Sequence, residues 1–303
     1  MSRQRPSSAD EPRHRAGFVA LLGPPNAGKS TLLNRVLGEK LAIVTAKPQT
    51  TRSRILGILS LPKAQILLQD TPGLHESSRE LNRVMNETVA DVLRESDLAI
   101  LLVDRSRGWL ELHEKLWRDL RSAAKPTLLV GTKADLPDHP ELIWPPPDAA
   151  KEALAIFSIS ALTGEGVARL IEEIAGNLPL SPALYPAEDL TNRPLRWLCA
   201  ELIREAVFEC LEQELPYSMA VEIREFAEKR GAITRIRADL LVERNSQKRI
   251  VVGAGGRTVK GIGIRARKAI EKLLGERVHL ELFVKEDPRW LKSRSRMEEL
   301  GYF

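Results

Sequence analysis

This sequence is poor in cysteine, holds no long apolar run and does not open on one. Cys199 and Cys210 are the only cysteines. On a shared helix they would stand about 16 Å apart, too far for a disulfide, and a reducing cytoplasm is the expected setting. No apolar stretch approaches the roughly 18 residues of a membrane span. Met1 to Arg15 is polar and rich in Arg and Pro, which reads as a disordered arm (residues 1–16) and not as a signal peptide.

What is present fits a soluble chain of two domains, since 303 residues can enclose two cores. The net charge of +5 is unevenly placed. Arg244 to Arg277 holds ten Lys/Arg against two acids, whereas everything before it is slightly acidic on balance. Nucleic acid, if bound, should therefore meet the C-terminal part.

The stretch that organises the chain is Gly23-Pro24-Pro25-Asn26-Ala27-Gly28-Lys29-Ser30, which fits G-x-x-x-x-G-K-[ST]. Phe18 to Leu22 before it reads as a buried strand. Thr31 to Leu37 after it spaces Leu32, Leu33, Val36 and Leu37 as a helix does. A strand–loop–helix unit of this kind aims backbone N–H groups and a positive helix end at one point, which suits a phosphate chain. In that reading Lys29 reaches the outer phosphates, Ser30 ligates Mg²⁺, and Thr31 completes the loop.

Later segments supply the rest of such a site. Ala46 to Ser53 is a polar loop with adjacent Thr50 and Thr51, either of which can ligate Mg²⁺. A strand over Ala64 to Leu68 leads to Asp70-Thr71-Pro72-Gly73, an acid to hold Mg²⁺ through water and a glycine N–H for a terminal phosphate. Further strands are expected at Leu98–Val103, Pro126–Val130 and Ile156–Ile159, with helices between them. The alternation predicts an α/β domain with a mostly parallel sheet flanked by helices, and every motif falls just after a strand's C-terminal end. Thr132-Lys133-Ala134-Asp135 then selects the base. A carboxylate accepts from guanine N1–H and the 2-amino group, and adenine would leave it unpaired. Lys133 can lie along the base, and the Ala161 N–H, within Ser160-Ala161-Leu162, can donate to guanine O6.

GPPNAGKS, QTTR, DTPGLH, TKAD and SAL, in this order, resemble the Ras-like translation-factor class of GTPases, and within it the Era family of ribosome-assembly GTPases. The resemblance runs from about Gly17 onward. It implies GTP and GDP as ligands, Mg²⁺ at Ser30, Thr50 or Thr51, and Asp70, and catalysis by Lys29, the switch threonines and Gly73. Thr132 departs from the commoner Asn, and a weaker tie between base loop and P-loop is expected from its shorter side chain. Leu74 stands where Ras-type proteins place a water-orienting glutamine, so intrinsic hydrolysis should be slow. By the same resemblance Asn26 marks a K⁺ ligand, which would supply charge where other GTPases insert an arginine.

After a proline-rich linker (179–195) the second half reads as helix, two strands, a glycine-loop helix pair and a final strand, Val278 to Val284, whose apolar residues alternate. Val251-Val252-Gly253-Ala254-Gly255-Gly256 begins like a dinucleotide fingerprint, but Thr258 takes the third glycine's place and about fifty residues cannot hold the remaining fold. The competing pattern is G-x-x-G, Gly253 to Gly256, the loop that clamps a single-stranded backbone in KH domains. Lys248, Arg249, Arg257 and Lys260 would meet phosphates. Val252, Val259, Ile262 and Ile264 would floor the bases.

The element order resembles the C-terminal type II KH domain of Era, a smaller α+β RNA-binding domain. The domains expected are 17–178 (GTPase) and 196–285 (KH), with a tail at 286–303. By resemblance the partners are the 3′ end of small-subunit ribosomal RNA and the 30S subunit, met by a cytoplasmic monomer that can touch the inner membrane surface. Two other readings are an RNA-binding module with a barely hydrolysing nucleotide site and a membrane-associated GTPase held by its basic patch.

Overall fold

The computed structural model describes residues 14–45, 47, 50–72, 90–228 and 233–302. Gly73, Leu74 and most of the helix expected at 80–95 lie outside these residues. The first sheet holds β1 (Arg15–Leu22), β2 (Ile55–Leu61), β3 (Ala64–Asp70), β4 (Leu98–Asp104), β5 (Thr127–Thr132) and β6 (Ala155–Ser158). Its order is β2-β3-β1-β4-β5-β6, and only the β2–β3 pair is antiparallel.

Strands β3, β4 and β5 are buried along their whole length, as the continuous run LAILLVD of β4 requires of a sheet covered on both faces. Helices α1 (Lys29–Leu37), α2 (Glu111–Ser122), α3 (Pro147–Glu152) and α4 (Val167–Asn177) surround it. Leu33 of α1, Leu170 of α4 and Ile100 of β4 share one core layer. Leu116 and Trp117 of α2 close the opposite face over Leu101 and Leu129. The chain crosses the sheet between β1 and β4, so the loops at the C-terminal ends of β1, β3 and β5 gather at one edge.

The proline-rich stretch after α4 lies on the sheet. Gln65 Oε1 accepts from the N–H groups of Leu184 and Tyr185, and the Ile58 N–H donates to Leu190 O.

Helix α5 (Leu195–Cys210) opens the second unit and carries both cysteines, neither in a disulfide. Strands β7 (Met219–Ala227), β8 (Thr234–Val242) and β9 (Val278–Glu286) form a sheet with β7 antiparallel and β9 parallel to β8. Helices α6 (Asn245–Val252) and α7 (Arg257–Leu274) flank the G-x-x-G loop. With α5 they cover one face of this sheet, where Ile203, Leu240, Val251, Ile262 and Ile270 are buried together. The tail, with α8 (Arg294–Glu299), covers the other face through Trp290, Met297 and Tyr302 against Ala220 and Leu241.

Candidate nucleotide site and glycine-loop surface

Pro25, Asn26, Gly28, Lys29, Ser30, Thr31, Thr50, Thr51 and Lys133, with Ile43 to Thr45, line a cavity of about 310 Å³ at the C-terminal edge of the first sheet. The P-loop takes its shape from local sterics. Gly23 has φ +149, and a Cβ there would lie 2.7 Å from Leu102 O. Asn26 and Gly28 also have positive φ. The N-terminus of α1 thereby opens into the cavity, with its first N–H groups free of intrahelical bonds.

Charge is concentrated where water is excluded. Lys29 Nζ donates to Gly23 O and Pro24 O, both at 2.9 Å, and burial lowers its pKa to about 8 although Asp70 opposes the shift. Asp70 is fully buried, and desolvation raises its pKa to about 6 against the pull of Lys29 and its hydrogen bonds. Two opposite groups each pushed toward neutrality mark a site organised for a further charged species.

The metal-ligand candidates can be sorted by geometry. Ser30 Oγ donates to Asp70 Oδ2 at 2.6 Å and lies 2.9 Å from Thr51 Oγ1, which is 3.5 Å from the same carboxylate oxygen. Asp70 Oδ1 is buried beside the Thr71 amide without a well-aligned hydrogen bond. Two hydroxyls and an under-satisfied carboxylate form an oxygen set that fits Mg²⁺. Thr50 lines the cavity but stands outside this cluster. Thr71 Oγ1 instead donates to Leu21 O at 2.7 Å, fixing the turn after β3 to β1; Pro72 is buried beside it.

The base-side residues converge as well. Thr132 Oγ1 donates to Ala27 O at 2.8 Å. The shorter side chain thus still reaches across: its hydroxyl makes one short bond between the base loop and the P-loop. Lys133 has φ +58, and its Nζ lies 2.6 Å from Asp104 Oδ2. The Ala134 N–H donates to Ile159 O at 3.0 Å, joining this loop to the Ser160–Leu162 segment. Ser160 is buried and its Oγ accepts from the Thr163 N–H. Asp135 and Leu162 are exposed at the rim.

The second glycine loop is built differently. Gly253 is required by its own fold: its φ is +73 and a Cβ would fall 2.2 Å from Thr258 Oγ1. Gly255 and Gly256 also have positive φ, but a Cβ on either would meet nothing within 4 Å. These two form the open face, at the N-terminus of the 18-residue α7. Arg249, Ala254, Arg257 and Lys260 are exposed around it and Lys248 is half-buried. Arg257 Nε donates back to Ala254 O at 3.2 Å. Ile262 lies in the core and cannot floor a base, because its side of α7 faces the sheet; Ile264 is exposed and Val252 and Val259 are half-buried.

Residues 18–133 match the family model of the 50S ribosome-binding GTPases, and residues 214–291 match that of the KH domain. GTPase Era of Geobacter metallireducens is 43% identical over 95% of this chain and 98% of its own length. The chain belongs to the Era family of GTPases.

GTPase Era of Nitratidesulfovibrio vulgaris (strain DP4) is 41% identical over 95% of this chain and 97% of its own. Crystal structures of Era bound to GDP.AlF4- (from Aquifex aeolicus) and of Era in complex with MgGDPNP and nucleotides 1506–1542 of 16S ribosomal RNA each superpose with a TM-score of 0.87. Each covers 95% of this chain and 99% of theirs, at 35% and 34% identity respectively.

Against this Era frame, three supporting residues escape a reading of motifs alone. Asp104 orients Lys133, and its place at a strand end, like that of Asp70, was the available signal. Arg35 of α1 donates through Nε to Ala161 O at 2.7 Å and through Nη2 to Leu162 O, steadying the third base-side segment. Asn34 Oδ1 accepts from the N–H groups of Leu41 and Ala42, anchoring the start of the loop that carries the threonines. Neither Arg35 nor Asn34 carries a local signal.

Proposed function

We propose that this Era-family GTPase is a GTP-driven switch that binds the 3′ end of small-subunit ribosomal RNA and acts in assembly of the 30S subunit in the cytoplasm. One observation carries the reading. A phosphate cavity with buried charged groups, flanked by base-side loops, and an open glycine surface at a helix N-terminus occur in one chain, and an Era relative has been crystallised with MgGDPNP and a 16S ribosomal RNA fragment.

In this reading the P-loop N–H groups and Lys29 hold the phosphates, and Asp135 with Ala161 reads guanine. Ser30, Thr51 and Asp70 would hold Mg²⁺, which when bound offsets charge on the phosphate oxygens. Thr50 lines the phosphate side without entering that set. Asn26 is the proposed K⁺ ligand, and equal turnover in KCl and NaCl at matched ionic strength would remove that assignment. Gly255, Gly256 and the N-terminus of α7 receive the RNA backbone, with Lys248, Arg249, Arg257 and Lys260 as phosphate partners.

The deciding experiment replaces Gly255 and Gly256 by Asp. RNA binding should fall by about 100-fold, since two carboxylates would face the phosphates, while GDP affinity stays within twofold. Undiminished RNA binding would show the surface wrongly assigned. A peripheral membrane role draws only on the basic charge, which lipid and RNA attract alike. Vesicles containing anionic lipid that bind the double variant as well as the wild type would favour it.

A further inference from the structure

The loop between α1 and β2 touches both units at once. Thr51 sits at the Ser30–Asp70 cluster. One residue on, Arg52 is 3% exposed and its guanidinium is seated in the second unit. Nη1 donates to Met219 O at 2.7 Å and the Tyr302 hydroxyl at 3.3 Å; Nη2 donates to Pro216 O at 3.0 Å and Tyr217 O at 2.8 Å. The rings of Phe208, Trp290 and Tyr302 surround it, with centroids 5.7–5.8 Å from Cζ. Ser53 Oγ adds a bond to Gly301 O at 3.0 Å.

The turn that receives Arg52 continues toward the glycine loop. Ser218 Oγ accepts from Gln247 Nε2 at 3.1 Å. Gln247 Oε1 in turn accepts from the N–H groups of Glu243 and Arg244, at 2.9 and 3.1 Å, at the start of α6. The other end of α6 is Gly253. A continuous bonded path therefore runs from Thr51 through Arg52, the 216–219 turn and Gln247 to the helix that presents G-x-x-G.

We propose that Arg52 is the coupling residue between the two sites, a plug whose seating in the 216–219 turn and the Tyr302 tail is tied to the position of Thr51 and transmits nucleotide state to α6. Consecutive Cα atoms are about 3.8 Å apart, so a displacement of the Thr51 backbone is passed directly to that of Arg52. A withdrawn plug would leave four acceptors and three ring faces unpartnered, which disfavours partial seating. Among the described residues no carboxylate hydrogen-bonds Arg52. The seat is thus held by the four neutral acceptors and the rings around the guanidinium. The proposal rests on the switch reading above.

The test is the ratio of RNA affinities in the GDP-bound and Mg-GDPNP-bound states, read by titration with an RNA matching the 3′ end of small-subunit ribosomal RNA. The wild type should show a ratio of about tenfold. Arg52→Gln should bring it below about twofold, with GDP affinity and GDP-state RNA affinity unchanged; a merely structural role would not move the ratio alone. Ser218→Ala, which removes the bond from Gln247 Nε2 in the middle of the path together with the Ser218 Oγ bond to Leu215 O and leaves the α6 cap intact, should reduce the ratio about threefold. It decides the matter if Arg52→Gln does not fold. A full ratio retained in either folded variant overturns the coupling role and leaves the switch reading standing, whereas a wild-type ratio of one removes the switch reading itself.

Discussion

Two glycine loops, each at the N-terminus of a helix, do opposite things with the same residue type. In Gly23–Ser30 the glycine at the start has no room, and the charged side chains behind it are buried and bonded inward. In Gly253–Gly256 only the first glycine is demanded by packing, while Gly255 and Gly256 face open space among exposed basic residues. The enclosed loop suits a compact ligand whose charge is matched group by group in a low dielectric. The open one suits an extended polymer that needs close backbone approach along a surface. Shape and burial, more than glycine count, separate the two.

The largest expected effect lies in the enclosed loop. Lys29→Ala removes the only buried cation lining the cavity among the described residues, and single-turnover GTP hydrolysis should fall by about 10²–10³-fold. Neutralising one exposed lysine of the open loop, Lys260→Ala, should weaken RNA binding only severalfold and uniformly across sequences.

The sterics can be tested directly. Gly23→Ala drives a methyl into Leu102 O at a φ that L residues avoid, and should cost about 3 kcal/mol or more in denaturant unfolding. Gly255→Ala meets no atom within 4 Å and should cost only about 1 kcal/mol, from its φ of +59 alone. Equal costs would break the comparison.

A third test concerns the floor of the enclosed site. His113 is buried beneath β4; its Nδ1 accepts the Leu110 N–H and its Nε2 faces Leu102 O. Burial lowers its pKa to about 4 against the hydrogen bond to the Leu102 carbonyl, with smaller contributions from Lys29, which lowers it, and Asp104, which raises it. The unfolded chain protonates this ring near pH 6.5, the folded chain only near 4. The unfolded state thus binds more protons in that window, and stability present above about 6.5 is lost as pH falls, by about 3 kcal/mol. Urea unfolding against pH should show this slope in the wild type and lose it in His113→Leu.

The smallest effect expected is at the lock between base loop and P-loop. Thr132→Val deletes the bond to Ala27 O and should weaken GDP and GTP alike by about fivefold, or ~1 kcal/mol, in equilibrium titration. No loss would restore the view that a threonine ties these loops poorly.

Much of the architecture is legible along the chain because each strand is an unbroken or alternating apolar run. LAILLVD needs both faces covered, and Val278 to Val284 needs one. The phosphate and base motifs are legible because each sits in a short contiguous string at a strand end. The base floor is not, since Val252, Val259, Ile262 and Ile264 look alike in sequence and only the rotation of α7 against the sheet buries Ile262. The tail is opaque for a similar reason: Trp290 and Tyr302 bury themselves against residues about 50 to 80 positions away.

The sequence by itself determined that a guanine nucleotide site and a G-x-x-G loop share this chain, because local patterns of glycine, lysine and carboxylate carry their chemistry with them. Only the tertiary structure decided that Thr51 and not Thr50 joins Ser30 and Asp70, that Thr132 locks onto Ala27, and that Arg52 is seated against Tyr302. Those are contacts between residues 19 to 250 positions apart, and nothing short of the folded packing of two units brings them within hydrogen-bonding distance.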